Sequence, residues 1–341
     1  MLTPFILSAQ LLLGEILCDS AEKEKPMPDS PPKQSADAKP TEPDADPALN
    51  PNVKTKTLGG RQLWGDVRFF RGWRIQQQVY TKHYRLLDEN DVRHAWGTLE
   101  QCQARLKQIR DEENLPAMSG EAVILVHGII RSSKSMAALQ KRFATEGYTV
   151  VPFDYPSTRI DISGAADYLH QVIENLGGIE KIHFVCHSMG GLVVRAYTAK
   201  HADPRVGRVV MIATPNVGAE LADKLKANAI FKLVLGPSGQ QLTSEEAGFI
   251  ASLPVPDLEF AVIAGGRLTD DGYNPLVPGD DDGTVSVDST RLPGAADFIV
   301  LKGLHTFLTS QPEVLDASVR FLKEGRLRAE GPRESIPKEK P

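Results

Sequence analysis

Cysteine is scarce in this 341-residue chain: Cys18, Cys102 and Cys186 are the only three, and they stand far apart. That scarcity excludes a disulfide framework, and the spacing matches no zinc-binding pattern. An excess of positive charge is lacking too. The chain has 39 Lys and Arg against 44 Asp and Glu, a net charge of −5. With no basic stripe carrying interleaved aromatics, nucleic acid is not an expected partner. No uninterrupted apolar run reaches the roughly 20 residues of a membrane span, and no internal repeat is visible. What is present is 41% hydrophobic residues, enough to bury a sizeable core.

The N-terminus, MLTPFILSAQLLLGEILCDSA, carries an apolar stretch from Leu2 to Leu17. It resembles a secretory h-region but has no Lys or Arg ahead of it and is interrupted by Glu15. Residues 1–20 are therefore expected to give export or envelope association, with a cytoplasmic location as the alternative. Residues 21–56 are rich in Pro, Asp, Lys, Ser and Ala and almost free of large apolar side chains. Ordering them would cost entropy that no burial offsets, so a disordered tether is expected. The tail 325–341, GRLRAEGPRESIPKEKP, has the same character and carries the same expectation.

Residues 57–116 hold all three tryptophans, Trp64, Trp73 and Trp96. Between Val67 and Leu87 the pattern alternates loosely, with Trp73, Ile75 and Val79 on one side and Arg74, Gln76 and Gln78 on the other. That predicts a half-buried antiparallel pair. Val92, Trp96, Leu99, Cys102, Leu106 and Ile109 then recur at three- and four-residue steps. They predict one long helix that packs on the main domain, with Asp88 or Asn90 at its start.

From 117 to 324 the texture changes. Short β-rich runs, AVILVHG, YTVVPFDY, KIHFVC, RVVMIATP, EFAVIAGG and DFIVLK, alternate with helical stretches at 135–146, 162–176, 189–201 and 312–323. This is the pattern of an α/β domain, a mostly parallel central sheet with helices on both faces.

One segment carries chemistry. In FVCHSMGGLVVR, Ser188 sits between the third apolar run and a helix, the context of a nucleophile elbow G-x-S-x-G. Cys186 replaces the first glycine there, and as the last residue of its strand it reads as a packed thiol. Cleaving an ester needs a nucleophile, a base, a group orienting that base, and donors for the oxyanion. His305, in KGLHTFL after the last run, lies where a sheet presents residues at its carboxyl edge. The other candidates fit worse, since His170 and His201 fall in helical patterns and His183 in a strand. His187 adjoins the serine and is given a supporting role. The acid comes from GDDDGTVSV: of Asp280, Asp281 and Asp282, the choice is Asp282. Oxyanion donors would be the N–H groups of Met189 and Ile129, with His127 bracing the loop. In the insertion 228–242, Ile230, Phe231, Val234 and Leu235 make an apolar helical face that either lines an acyl pocket or packs on the body.

From Glu121 to about Glu324 the chain resembles bacterial lipases and esterases of the α/β-hydrolase superfamily, including the group akin to GPI-inositol deacylases. The successive motifs VILVHGIIRSSKSM, FDYPS, FVCHSMGGLVVR, IATPNVGAELAD, DDGTVSVDST and LHTFL carry the likeness. It implies the triad Ser188, Asp282 and His305, no cofactor and no metal, and a small-molecule ester or lipid as substrate. Cys186 is the main departure, and residues before Glu121 are not covered. An acyltransferase, or a binding protein of the envelope that kept the fold, stays open beside a serine ester hydrolase.

Overall fold

In the computed structural model the described residues are 55–56, 61–225, 228–245 and 248–338. The expectations for residues 1–20 and 21–54, Cys18 included, lie outside them. The chain divides into two units, 1–47 and 48–341, and the second contains all that follows.

Its first part is an antiparallel sheet of β1 (Thr55–Lys56), β2 (Trp64–Phe70), β3 (Trp73–Gln78), β4 (Tyr84–Leu87) and β5 (Val92–Gly97), in the order β1-β5-β4-β3-β2, followed by α1 (Leu99–Glu112). The expected pair at 67–87 is therefore part of a larger sheet. The long helix starts seven residues later than its periodicity suggested: Val92 and Trp96 belong to β5. The chain breaks at Gly97, whose φ of 146° suits glycine alone. Thr98 then caps α1 in a reciprocal box with Gln101. Asp88 instead closes the β4–β5 turn, its Oδ1 accepting the N–H groups of Asn90 and Val92 at 2.9 Å. Ile75, Leu86 and Ala95 stand opposite one another across the strands and share a core with Cys102, Leu106 and Ile109 of α1.

The main sheet is parallel throughout. Its strands are β6 (Gly120–Val126), β7 (Thr149–Phe153), β8 (Ile179–His187), β9 (Val206–Ile212), β10 (Phe260–Gly266) and β11 (Asp297–Lys302), ordered β11-β10-β9-β8-β6-β7. The central strands read as apolar runs over their carboxyl halves, such as AVILV of β6, FVC of β8 and VVMI of β9, because both faces are covered there. Ala122, Ile124 and Val126 of β6 join the core with α3 (Ile162–Glu174) and α4 (Met189–Lys200). Val123 and Leu125 join a second core with α2 (Ala137–Thr145) and the C-terminal helix (Pro312–Glu324). Fully buried Phe143, Phe184 and Phe321 each contribute on the order of 1.5–3 kcal/mol. The remaining helices are short or lie in the insertion after β9: α5 (Glu220–Leu225), α6 (Ala229–Gln240), α7 (Phe249–Ser252) and α8 (Val287–Thr290), which makes the C-terminal helix α9.

Two further differences from the sequence reading concern polar groups. Arg74 and Gln76, expected on a solvated face, are buried. Arg74 pairs with Asp154 at 2.7 Å and with Asp91, while Gln76 donates to Asp66 at 2.7 Å and accepts from Arg85 at 2.9 Å. The polar side of the small sheet thus packs on the end of β7, where Asp66 N–H donates to the Asp154 carbonyl at 2.8 Å. The tail, expected to be disordered, is docked through residue 338. Buried Asp297 accepts the N–H groups of Leu327 and Glu334 and binds Arg328 at 2.8 Å, and Leu327 is buried. The second half of the tail pairs with 294–295 through Ile336.

Candidate active site

Chain order around the main sheet reverses between β6 and β8: β7 lies to one side of β6 and β8 to the other. Ligands of open α/β sheets bind outside the carboxyl ends of strands at such a switch point. Ser188 leaves β8 there, and the loop His127–Ser133 leaves β6 beside it. Ser188 has φ 54° and ψ −129°, a conformation that costs an L-residue about 1–3 kcal/mol and persists only when its surroundings hold it. They do: its N–H donates to the Ile212 carbonyl at 2.8 Å, and its carbonyl accepts from Gly191 at 3.1 Å. The turn also needs Gly190 and Gly191, because a Cβ on Gly190 would collide with the Val126 carbonyl oxygen and one on Gly191 with the Thr214 side chain. A strained serine linking a central parallel strand to a helix at the switch point is decisive. The chain has the α/β-hydrolase fold.

Within that α/β-hydrolase fold, Cys186 occupies a position that needs smallness but not the freedom of glycine. It is fully buried, lies in register with Val126 and Met211, and is not among the residues with positive φ. Burial pushes its thiol pKa far up, which suits packing rather than nucleophilic chemistry.

The three aspartates after β10 divide their work. Asp280 accepts from the N–H groups of Arg267 and Leu268. Asp281, fully buried, accepts from Tyr273, Asn274 and Gly283 and shapes the loop; burial raises its pKa. Asp282 takes the N–H groups of Thr284 and Val285 on Oδ1, at 3.0 and 2.8 Å, and His305 Nδ1 on Oδ2 at 2.7 Å. A carboxylate oxygen facing a ring nitrogen accepts from it, so this contact selects the Nδ1–H tautomer of the neutral imidazole, with Nε2 as the acceptor.

His305 is fixed through its backbone as well. Its N–H donates to the Asp282 carbonyl at 2.8 Å, and its carbonyl accepts from His187 Nε2 at 3.0 Å. Through that second contact His187 braces the backbone of His305. Burial holds its pKa well below the usual histidine range, with His305 adding to the effect, so the ring is neutral and Nε2 bears the proton. Its neighbour Gly128 leaves room for the serine, since a Cβ there would lie 3.0 Å from Ser188 Cβ.

Met189 opens α4, so its N–H is one of the first-turn donors that the helix itself cannot satisfy. In the loop after β6, the N–H of Ile130 is taken by Ser157 Oγ at 3.0 Å, and Ile129 precedes it. His127 is buried, stacked on Tyr155 with ring centroids 4.4 Å apart, and its carbonyl accepts from Tyr155 Oη at 2.6 Å. Arg131 donates to Thr306 Oγ1 at 3.0 Å, tying this loop to the one carrying His305.

On the far side of α4, buried Arg195 donates to the carbonyls of Asn216 and Leu253 at 2.8 and 2.7 Å, clasping both ends of the insertion. In that insertion Leu235 is buried and Val234 exposed, while the side chains of Ile230 and Phe231 lie outside the described residues. Among the described residues no group of three His, Cys, Asp or Glu is placed to hold a metal ion. Sequence reasoning gave no role to Arg131, Ser157 and Arg195, although each lies within one of the motifs quoted above.

Residues 85–252 match a family described as a domain of unknown function, DUF7379; that segment includes Ser188 and ends before Asp282 and His305. Over 112 residues the chain is 28% identical to a lysosomal thioesterase of Xenopus laevis, covering 30% of this chain and 38% of that protein's length. Among solved structures it is similar to a mature lipase of Bacillus licheniformis, with 20% identity, a TM-score of 0.46, and coverage of 61% of this chain and 93% of that one. A metagenomic carboxyl esterase is similar at 19% identity and a TM-score of 0.49, over 61% and 77% of the two chains. The fold itself rests on the sheet and the serine turn.

Proposed function

We propose that this protein is a serine hydrolase of carboxylic esters that works through an acyl-enzyme. The observation that carries the reading is the 2.7 Å contact of His305 Nδ1 with Asp282 Oδ2, with both residues presented at the sheet edge where Ser188 makes its strained turn. In the proposed cycle Ser188 Oγ attacks the ester carbonyl while His305 Nε2 takes its proton. Asp282 holds the imidazole tautomer and stabilises the imidazolium. The N–H groups of Met189 and Ile129 receive the negative charge that develops on the carbonyl oxygen. His305 then protonates the departing alcohol, and water repeats the sequence on the acyl-enzyme.

Likeness to a thioesterase supports a second reading in which the leaving group is a thiol. The same groups serve it, because a thiolate leaves more readily and asks less of the acid step. Export or envelope association through residues 1–20 is proposed alongside. The deciding experiment is labelling by a fluorophosphonate followed by turnover of matched ester and thioester series. Wild type should label and Ser188→Ala should not, with an unchanged melting temperature. A wild type that never labels and cleaves neither series would end the hydrolase reading.

A further inference from the structure

The backbone of the loop after β6 is strained at one point. Ile130 has φ 65°, and a β-branched side chain in the left-handed region is an outlier that the surroundings must enforce. The enforcing groups can be followed. Ile130 N–H donates to Ser157 Oγ at 3.0 Å, and Ser157 Oγ donates to Gln62 Oε1 at 3.0 Å. Gln62 Oε1 also accepts from Thr158 N–H at 3.0 Å and from Thr158 Oγ1 at 3.1 Å. On its other side Gln62 Nε2 donates to the carbonyl of Arg131 at 3.0 Å. The Thr158 N–H can only donate, and the Arg131 carbonyl can only accept, so the amide orientation is fixed by its neighbours. Ser157 is fully buried and Thr158 nearly so, which leaves little water to replace these bonds.

Gln62 is not part of the α/β-hydrolase fold. It lies in the single turn Arg61–Leu63 that leads into β2, and the same small sheet reaches the loop's far end through Arg74, which binds the Asp154 carboxylate that also accepts from Ser133 N–H and Oγ. We infer that Gln62 is a positioning residue for the oxyanion loop, clamping the Ile129–Ile130 peptide through Ser157 and the Arg131–Ser132 peptide directly so that Ile129 N–H faces the reacting carbonyl. The small N-terminal sheet is thereby a working part of the active site. This inference rests on the ester-hydrolase reading above. A donor turned aside should cost less than a donor deleted, for which the usual loss is about 10²–10³-fold in kcat.

The test compares wild type, Gln62→Ala and Ser157→Ala in three measurements: steady-state hydrolysis of p-nitrophenyl butyrate, inhibition by a trifluoromethyl ketone that forms a tetrahedral adduct, and amide hydrogen exchange of the peptide spanning 127–133. The expected result is a kcat about tenfold to hundredfold lower with KM changed less than about threefold. Ketone affinity should weaken by the same factor as kcat, and exchange in 127–133 should be faster while α4 and β8 keep wild-type protection. Ser157→Ala removes the same clamp from within the hydrolase domain, so a Gln62 variant that fails to fold does not stop the test. Unchanged exchange in 127–133, or loss of activity in proportion to lost folded protein with ketone affinity intact, would overturn the positioning role. A wild type without ester turnover would overturn the enzymatic reading instead, and the exchange measurement keeps the two failures apart.

Discussion

Replacing Asp282 with asparagine should lower kcat about 10⁴-fold while leaving the fold intact. In wild type Oδ1 accepts the N–H groups of Thr284 and Val285, and Oδ2 faces His305 Nδ1. An asparagine keeps both backbone bonds only if its carbonyl oxygen takes the Oδ1 position. Its NH₂ group then points at Nδ1 and demands a lone pair there, which moves the imidazole proton to Nε2, the nitrogen that must accept the serine proton. The flipped amide would set NH₂ against two N–H groups; with each buried donor left unsatisfied at about 1–3 kcal/mol, it lies at least ~2 kcal/mol higher. The wrong tautomer therefore dominates. Loss of about 10⁴ in rate, seen where this change has the same effect, corresponds to roughly 5 kcal/mol in the barrier. Turnover of p-nitrophenyl butyrate, with ¹⁵N NMR of the imidazole to report the tautomer, measures both halves of the argument. Asp281→Asn is the control: it disturbs a loop held by the Tyr273, Asn274 and Gly283 amides, so its melting temperature should fall while kcat per folded molecule stays within about tenfold. An Asp282→Asn enzyme within tenfold of wild type, beside an Asp280 or Asp281 variant that is crippled, would refute the assignment.

Cys186→Gly should retain ester turnover and lose roughly 1–3 kcal/mol of stability in urea melts, from an emptied core position and added chain freedom; inactivity in a folded variant would make the thiol a participant. His187→Phe should reduce kcat by loosening the His305 carbonyl, and it should also change the response to acid. Because burial depresses the His187 pKa, the unfolded chain binds a proton that the folded chain does not, so stability is full above about pH 6.5 and falls as pH drops below it, by at most ~1.4 kcal/mol per pH unit. Urea melts from pH 5 to 8 should show this acid loss in wild type and a weaker one in the variant; identical slopes would exclude His187 as its source.

The main sheet was legible in the sequence because a parallel strand covered on both faces must be an unbroken apolar run, and such runs announce themselves without knowledge of their neighbours. The elbow was legible for a similar reason: Gly190 is demanded by the close approach of the Val126 backbone and Gly191 by that of the Thr214 side chain, and a serine between a strand and those glycines has few other uses. Periodicity failed at Val92–Trp96, where a strand happened to continue the spacing of the helix after it, and only the break at Gly97 with the Thr98–Gln101 box separates them. Composition failed at the tail, since one buried carboxylate, Asp297, supplies acceptors that no apolar count reveals. Asp282, chosen from the sequence among three adjacent aspartates, is the one that faces His305; why Arg74 and Gln76 are buried, and why Gln62 touches the loop after β6, were decided by tertiary structure alone. A local pattern records how much of a side chain leaves water. The partner of a polar group is set by where the chain returns, and Gln62 meets Arg131 and Thr158 only after the small sheet has folded against the end of β7.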